Sequence, residues 1–214
     1  MHPMAATRNR SAGFSLLEVL LTLFIVTVGL LGLVGMQVVA QEAEAESYQR
    51  AQALVLMNDI VDRINTNRKA AICYSITTDP NSGAPHLGTA GTGKYAIGGY
   101  SCPGLATNPL AVARAQFDLQ AIDGLLLGAT EETAGAVRVG AMLGARACIG
   151  FDAATQTYSV AVAWQGLNPT FSPATWDALK TPAYARNCAL SRFGANDAQR
   201  RIVWTTFLVA NLSS

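Results

Sequence analysis

Residues 14–40, FSLLEVLLTLFIVTVGLLGLVGMQVVA, contain one charged side chain, Glu18, and this run constrains the fold more than any other feature of the sequence. As a helix it reaches roughly 40 Å at about 1.5 Å per residue, enough to cross a hydrocarbon core of about 30 Å. The preceding residues, MHPMAATRNRSAG, are polar and carry Arg8 and Arg10 without an acid. Positive charge on one flank alone places that leader in the cytoplasm and the rest of the chain across the membrane. A secretory signal peptide has an apolar core of about 7–15 residues followed by a small-residue cleavage site, whereas here Gly13 precedes the apolar run. An ordinary signal anchor accounts for length and orientation but not for Glu18.

A carboxylate costs on the order of 2.5–3.5 kcal/mol at the centre of a membrane helix and less toward an interface, so an acid in such a run points to a function. Cleavage after Gly13 would supply the partner. It would free an ammonium on Phe14, four residues ahead of Glu18 and beside the positive end of the helix dipole. The same ammonium on a neighbouring subunit could pair with Glu18 in a packed filament; the competing reading is a glutamate that snorkels to the interface. Gly29, Gly32 and Gly35 lack the GxxxG spacing and read either as points of bending or local melting or as glycines that a membrane helix ordinarily tolerates.

Gly13-Phe14-Ser15-Leu16-Leu17-Glu18-Val19-Leu20 resembles the type III signal sequence of type IV pilins and type II secretion pseudopilins, matching it at the glycine, phenylalanine and glutamate. The resemblance implies a prepilin peptidase, an integral-membrane aspartic protease, that cuts between Gly13 and Phe14 and N-methylates Phe14. It also implies that Glu18 serves subunit docking and register. Gly35 stands where many major pilins have a kinking proline.

Residues 41–69 contain neither Gly nor Pro, so the helix is expected to continue, to about 80 Å over residues 14–67. Ala53, Leu56, Met57, Ile60, Val61 and Ile64 form one apolar face that should pack on a sheet, with Glu46–Arg50 and Asp59–Arg63 as i,i+4 pairs elsewhere. Glu42, Glu44 and Glu46 read as a solvated helix face.

Four cysteines, Cys73, Cys102, Cys148 and Cys188, are widely spaced without a CxxC pair, which argues against zinc and thioredoxin-like chemistry. Outside the cytoplasm they read as two disulfides. Three connectivities exist, and the sequence-local pairs, Cys73 with Cys102 and Cys148 with Cys188, are the favoured ones. Residues 77–107, rich in Thr, Gly, Ser, Asn and Pro, form a long loop that the first pair would staple. Within it Gly88 to Lys94 fits GxxxxGK, but Tyr95 replaces the magnesium-binding Ser or Thr and no strand or helix flanks it, so no nucleotide site is expected.

Asn108-Pro109 starts a short helix, with Asn as N-cap and Pro at the first position. Residues 137–139, 147–151, 158–164 and 202–209 read as strands, with a hairpin loop at 152–157. Pro169, Pro173 and Pro182 mark an irregular segment closed by the Cys148–Cys188 pair. The expected fold is α+β, the type IV pilin fold: a long N-terminal helix on an antiparallel sheet of three or four strands with disulfide-stapled loops. The division is a leader at 1–13, a membrane or filament-core helix at 14–40, its amphipathic continuation at 41–69 and an extracytoplasmic head at 70–214.

His86 is the only histidine after the leader and sits in a loop without a sequence cue for a catalytic partner; Trp164, Trp176 and Trp204 read as sheet-packing residues. No enzyme activity, cofactor or metal is expected. Beyond the leader 13 basic residues face 14 acidic ones with no basic block, so nucleic acid is not an expected partner.

Residues 57–67 and 158–164, and Cys188 followed by Arg200-Arg201-Ile202-Val203, are similar to the PilV-type minor pilins, the type IV pilus modification proteins. This implies a subunit that helps initiate, cap or tune the pilus, in motility or adhesion. Its implied partners are other minor pilins, the major pilin, prepilin peptidase, the inner-membrane assembly platform and, before assembly, the lipid bilayer. The implied location is the inner membrane, with a periplasmic head, and then the cell-surface pilus. The alternatives are a minor pseudopilin of type II secretion and a membrane-tethered adhesin or enzyme.

Overall fold

The computed structural model describes residues 13, 15–75, 87–89, 102, 108–129, 140–170, 183–194 and 197–210. They belong to two compact units, Met1–Glu44 and Ala45–Ser214. The first helix, α1 (Leu16–Thr66), contributes to both and is unbroken through Gly29, Gly32 and Gly35. In the first unit every described residue is exposed. Thr22 and Thr27 donate their hydroxyls to the carbonyls of Val19 and Phe24 at 2.9 and 2.8 Å, which satisfies within the helix the polar groups that hydrocarbon could not.

The second unit is built on a three-stranded antiparallel sheet of order β1-β2-β3, with β1 at Arg146–Asp152, β2 at Thr157–Gln165 and β3 at Arg200–Leu208. The β1–β2 hairpin turns where Asp152 accepts from the Ala154 amide and the Thr155 hydroxyl, each at 2.9 Å. Those bonds, the amide first, hold the Asp152 carboxyl below the usual carboxylate range. The strand 137–139 expected from the sequence lies outside the described residues, as does the residue pair Pro173 and Pro182.

Side chains alternate across the sheet, and both faces are covered. Tyr158, Val160, Val162 and Trp164 of β2 enter the main core with Ala147 and Ile149 of β1 and Val203 of β3. The same core takes Ala53, Leu56, Met57, Ile60 and Ile64 from α1, spaced to lie on one helical face, and Ala115, Leu119, Ile122 and Leu126 from α2 (Pro109–Leu126). A 3-10 segment, Arg68–Tyr74, links α1 to this layer and buries Ala70, Ala71, Cys73 and Tyr74. Asn108 caps α2, accepting from the amides of Leu110 and Ala111, with Pro109 at the first helical position.

Ala161 and Ala163 face the other way, into a smaller cluster with Ala185, Cys188, Ala189 and Phe193. This layer comes from the segment read as irregular, which instead holds a short helix, α3 (Ala183–Asn187). Small residues on β2 leave room for it. Gly150 does the same on β1: a Cβ there would lie 2.7 Å from the ring of Tyr184, whose hydroxyl donates to the Ile149 carbonyl at 2.5 Å.

The bridges Cys73–Cys102 and Cys148–Cys188 both form, 29 and 40 residues apart in sequence. Cys188 is thereby fixed to the central part of β1, and α3 is held on the second face. Chain-entropy arguments put closure of a loop of this length at about 4 kcal/mol. Replacing Cys148 and Cys188 together by Ser is expected to destabilise the head by about 2–4 kcal/mol, read as a lower urea midpoint with the first bridge intact. A midpoint equal to that of the unmodified chain would show that packing alone holds the layer.

Candidate functional site

Gly13 is exposed, and Phe14 lies outside the described residues, so the scissile pair is described on one side only. The helix begins at once beyond it: the Ser15 carbonyl accepts from the amides of Glu18 and Val19 at 3.0 and 3.3 Å. Glu18 therefore sits in the first turn, where the unsatisfied amides give the helix end partial positive charge. The spacing Ser15-x-x-Glu18 is that of a capping box, yet neither side chain makes that bond. The Glu18 carboxylate is exposed and has no hydrogen-bond or ion-pair partner among the described residues. It is free to meet a cation from outside its own helix.

Seventeen large apolar side chains between Leu16 and Val39 are exposed, up to 81% for Leu16. At about 1.5–3 kcal/mol per side chain, leaving them in water forfeits tens of kcal/mol of burial. A monomeric soluble chain does not carry such a surface. The helix is long and apolar enough to cross a membrane, and none of its most apolar window is buried within the chain.

In the second unit, the structure corrects the expected Glu46–Arg50 pair. Glu46 instead accepts from Arg201 Nε, a side chain on β3 separated from it by 155 residues in sequence. It is thus not part of a solvated acidic face. The remaining Arg201 nitrogens donate to the Thr170 hydroxyl at 2.6 Å and the Asn168 carbonyl at 2.9 Å. Gly166 makes room for the guanidinium, since a Cβ there would lie 2.7 Å from Arg201 Cζ. Arg201 therefore ties α1 to β3 and to the turn after β2. Removing either partner of a partly buried pair like this is expected to cost about 1 kcal/mol. A double-mutant cycle with Glu46→Gln and Arg201→Gln should return coupling of that size, and strict additivity would leave the pair without energetic weight.

Asp59–Arg63 does form, at 2.8 Å, but as the rim of a larger cluster. Arg63 Nη1 also donates to Asp118 at 3.1 Å, Arg114 approaches the same carboxylate at 3.4 Å, and the Tyr74 hydroxyl donates to it at 2.5 Å. Asp118 is 1% exposed. Burial, and then the bond to Asp118, pushes the Tyr74 hydroxyl well above its ordinary range, so it stays a donor. Asn67 closes the group by donating to Tyr74 and to the Ala111 carbonyl. One carboxylate thus joins α1, the 3-10 segment and α2.

Asp123, also buried, accepts from the amides of Gly88 and Thr89 at 2.6 and 3.0 Å. These are the first amides of the GxxxxGK match. A phosphate cradle would present them to an anion, whereas here a carboxylate of the chain itself occupies them. Lys94, His86 and Trp176 lie outside the described residues. Trp164 is buried in the main core and Trp204 packs on the second cluster. Among the described residues no group of three His, Cys, Asp or Glu side chains could hold a metal ion.

Two protein-family models match the chain. Residues 8–34 match the prokaryotic N-terminal methylation motif, and residues 35–85 match the model described as type IV pilin Tt1218. Neither the characterised proteins nor the solved structures give a match. A long N-terminal helix, a three-stranded antiparallel sheet and two disulfides accord with that pilin match, and the family it points to is structural.

Proposed function

We propose that this chain, a type IV pilin subunit by its methylation motif and pilin match, is a minor pilin of the PilV type that helps to initiate, cap or tune a type IV pilus. The observation that carries the reading is the join of the methylation motif to an apolar helix with no cover of its own. Residues 1–13 are a leader removed by prepilin peptidase, and Phe14 becomes the N-methylated first residue. Residues 14–40 anchor the subunit in the inner membrane with the head in the periplasm, then enter the filament core among other pilin helices. Residues 41–69 carry the helix into the head, 70–214. Its partners are the major pilin, other minor pilins and the assembly platform.

Intact-mass measurement after co-expression with a prepilin peptidase tests the processing. The expected product begins at Phe14 and carries one added methyl group; a chain that keeps residues 1–13 is a simple membrane tether, and the pilin reading falls. Recovery of the processed chain in sheared filaments together with other minor pilins tests the assignment within the family.

A further inference from the structure

A cavity of about 690 Å³ opens in the head where the end of α1, the 3-10 segment, the start of α2, the β1–β2 hairpin and the residues after β3 meet. Its size is that of small-ligand sites, about 300–1,000 Å³. Arg68 and Lys69 line it, and neither has a carboxylate partner among the described residues: Arg68 spends only its Nε, on the Asn65 carbonyl at 2.9 Å, and Lys69 makes no bond. No acid lines the cavity among those residues. The neighbouring amides at the start of α2 are already taken by the Asn108 side chain, so the positive charge comes from the two side chains.

The rest of the wall sets the shape of a ligand. Phe151 and Tyr158 lie together with ring centres 4.7 Å apart and present an aromatic surface, of which Phe151 is the more exposed. The Asn108 side-chain nitrogen and the Tyr158 hydroxyl have no hydrogen-bond partner among the described residues. The pocket therefore offers cations, neutral hydrogen-bonding groups and an apolar ring face together. An inorganic ion would use only the first, and a fatty acid would leave the neutral polar groups unpaired.

We propose that this cavity binds a carboxylated sugar ring, its carboxylate on Arg68 and Lys69, its C–H face on Phe151 and its hydroxyls on Asn108 and Tyr158. The assignment does not depend on where the subunit sits in a filament.

The full mature chain in neutral detergent micelles, titrated calorimetrically with trigalacturonate, tests this. Saturable binding is expected, at least about tenfold weaker for the methyl-esterified trisaccharide and for the Arg68→Gln/Lys69→Gln double variant. These two side chains are exposed, so the unfolding midpoint should not move. Phe151→Leu, which keeps an apolar filler, should weaken the acid and the ester by the same factor. Absence of binding, equal binding of acid and ester, an unaffected double variant, or displacement by equimolar inorganic phosphate would each overturn the proposal.

Discussion

Glu18→Gln should leave membrane insertion and leader removal intact while lowering recovery in sheared filaments at least about tenfold. Glu18 lies in the first helical turn, exposed and without a partner among the described residues. Near the interface water can reach it, so loss of its charge costs nothing and slightly favours insertion. In a filament built as proposed, the same turn is surrounded by apolar helices and the Phe14 ammonium is there too. Removing one partner of a desolvated pair leaves the other charge buried, at a cost of about 3–5 kcal/mol, and a tenfold loss needs only about 1.4 kcal/mol. Immunoblots of membrane and filament fractions separate insertion from incorporation. Glu18→Asp, with the charge kept one methylene short, should fall between the two. Filament levels equal to those of the unmodified chain would end the pairing argument.

The parts of this molecule that could be read from sequence are those whose signals are local. The α1 face was legible because Ala53, Leu56, Met57, Ile60 and Ile64 recur at helical spacing, and α2 because Asn108-Pro109 marks its start. The hairpin was legible because two apolar runs flank a short polar turn at 152–157. What could not be read depends on distance along the chain. Nothing near Glu46 distinguishes Arg50 from Arg201 as its partner, and only the placement of β3 decides it. The α3 layer leaves no such signal, because five residues among prolines carry too little periodicity to register as a helix.

The buried acids are a different matter, since a signal was present. On α2, Asp118 lies one residue before Leu119 and three after Ala115, and Asp123 lies one after Ile122 and three before Leu126. Both therefore fall on the apolar stripe rather than opposite it. A carboxylate on a core-facing stripe must be paired and hydrogen-bonded if the helix is to pack, which points to donors elsewhere in the head. Those donors are Arg63, Arg114 and Tyr74 for Asp118, and the amides of Gly88 and Thr89 for Asp123.

That makes Asp118→Ala the substitution expected to damage the head most, by about 3–5 kcal/mol. It removes the acceptor for Tyr74 and the counter-charge for Arg63, and it opens space beside Ala115 and Leu119. Tyr74→Phe should cost about 1.5–3 kcal/mol, the worth of one hydrogen bond to a charged group, because the ring still fills its place in the core. Arg114→Ala should cost about 0–0.5 kcal/mol: its side chain is 59% exposed and its contact is the longest of the set. Asp118→Asn keeps the volume and one acceptor but not the charge, so it should lie between Tyr74→Phe and Asp118→Ala. Urea midpoints at unchanged m give the series directly. The ordering is the test, because a cavity effect alone would spare Asp118→Asn and put Asp118→Ala level with any other truncation on that stripe. If Asp118→Asn matches the unmodified chain, the carboxylate does not hold α1 to α2, and apolar packing around Ala115 and Leu119 carries that joint.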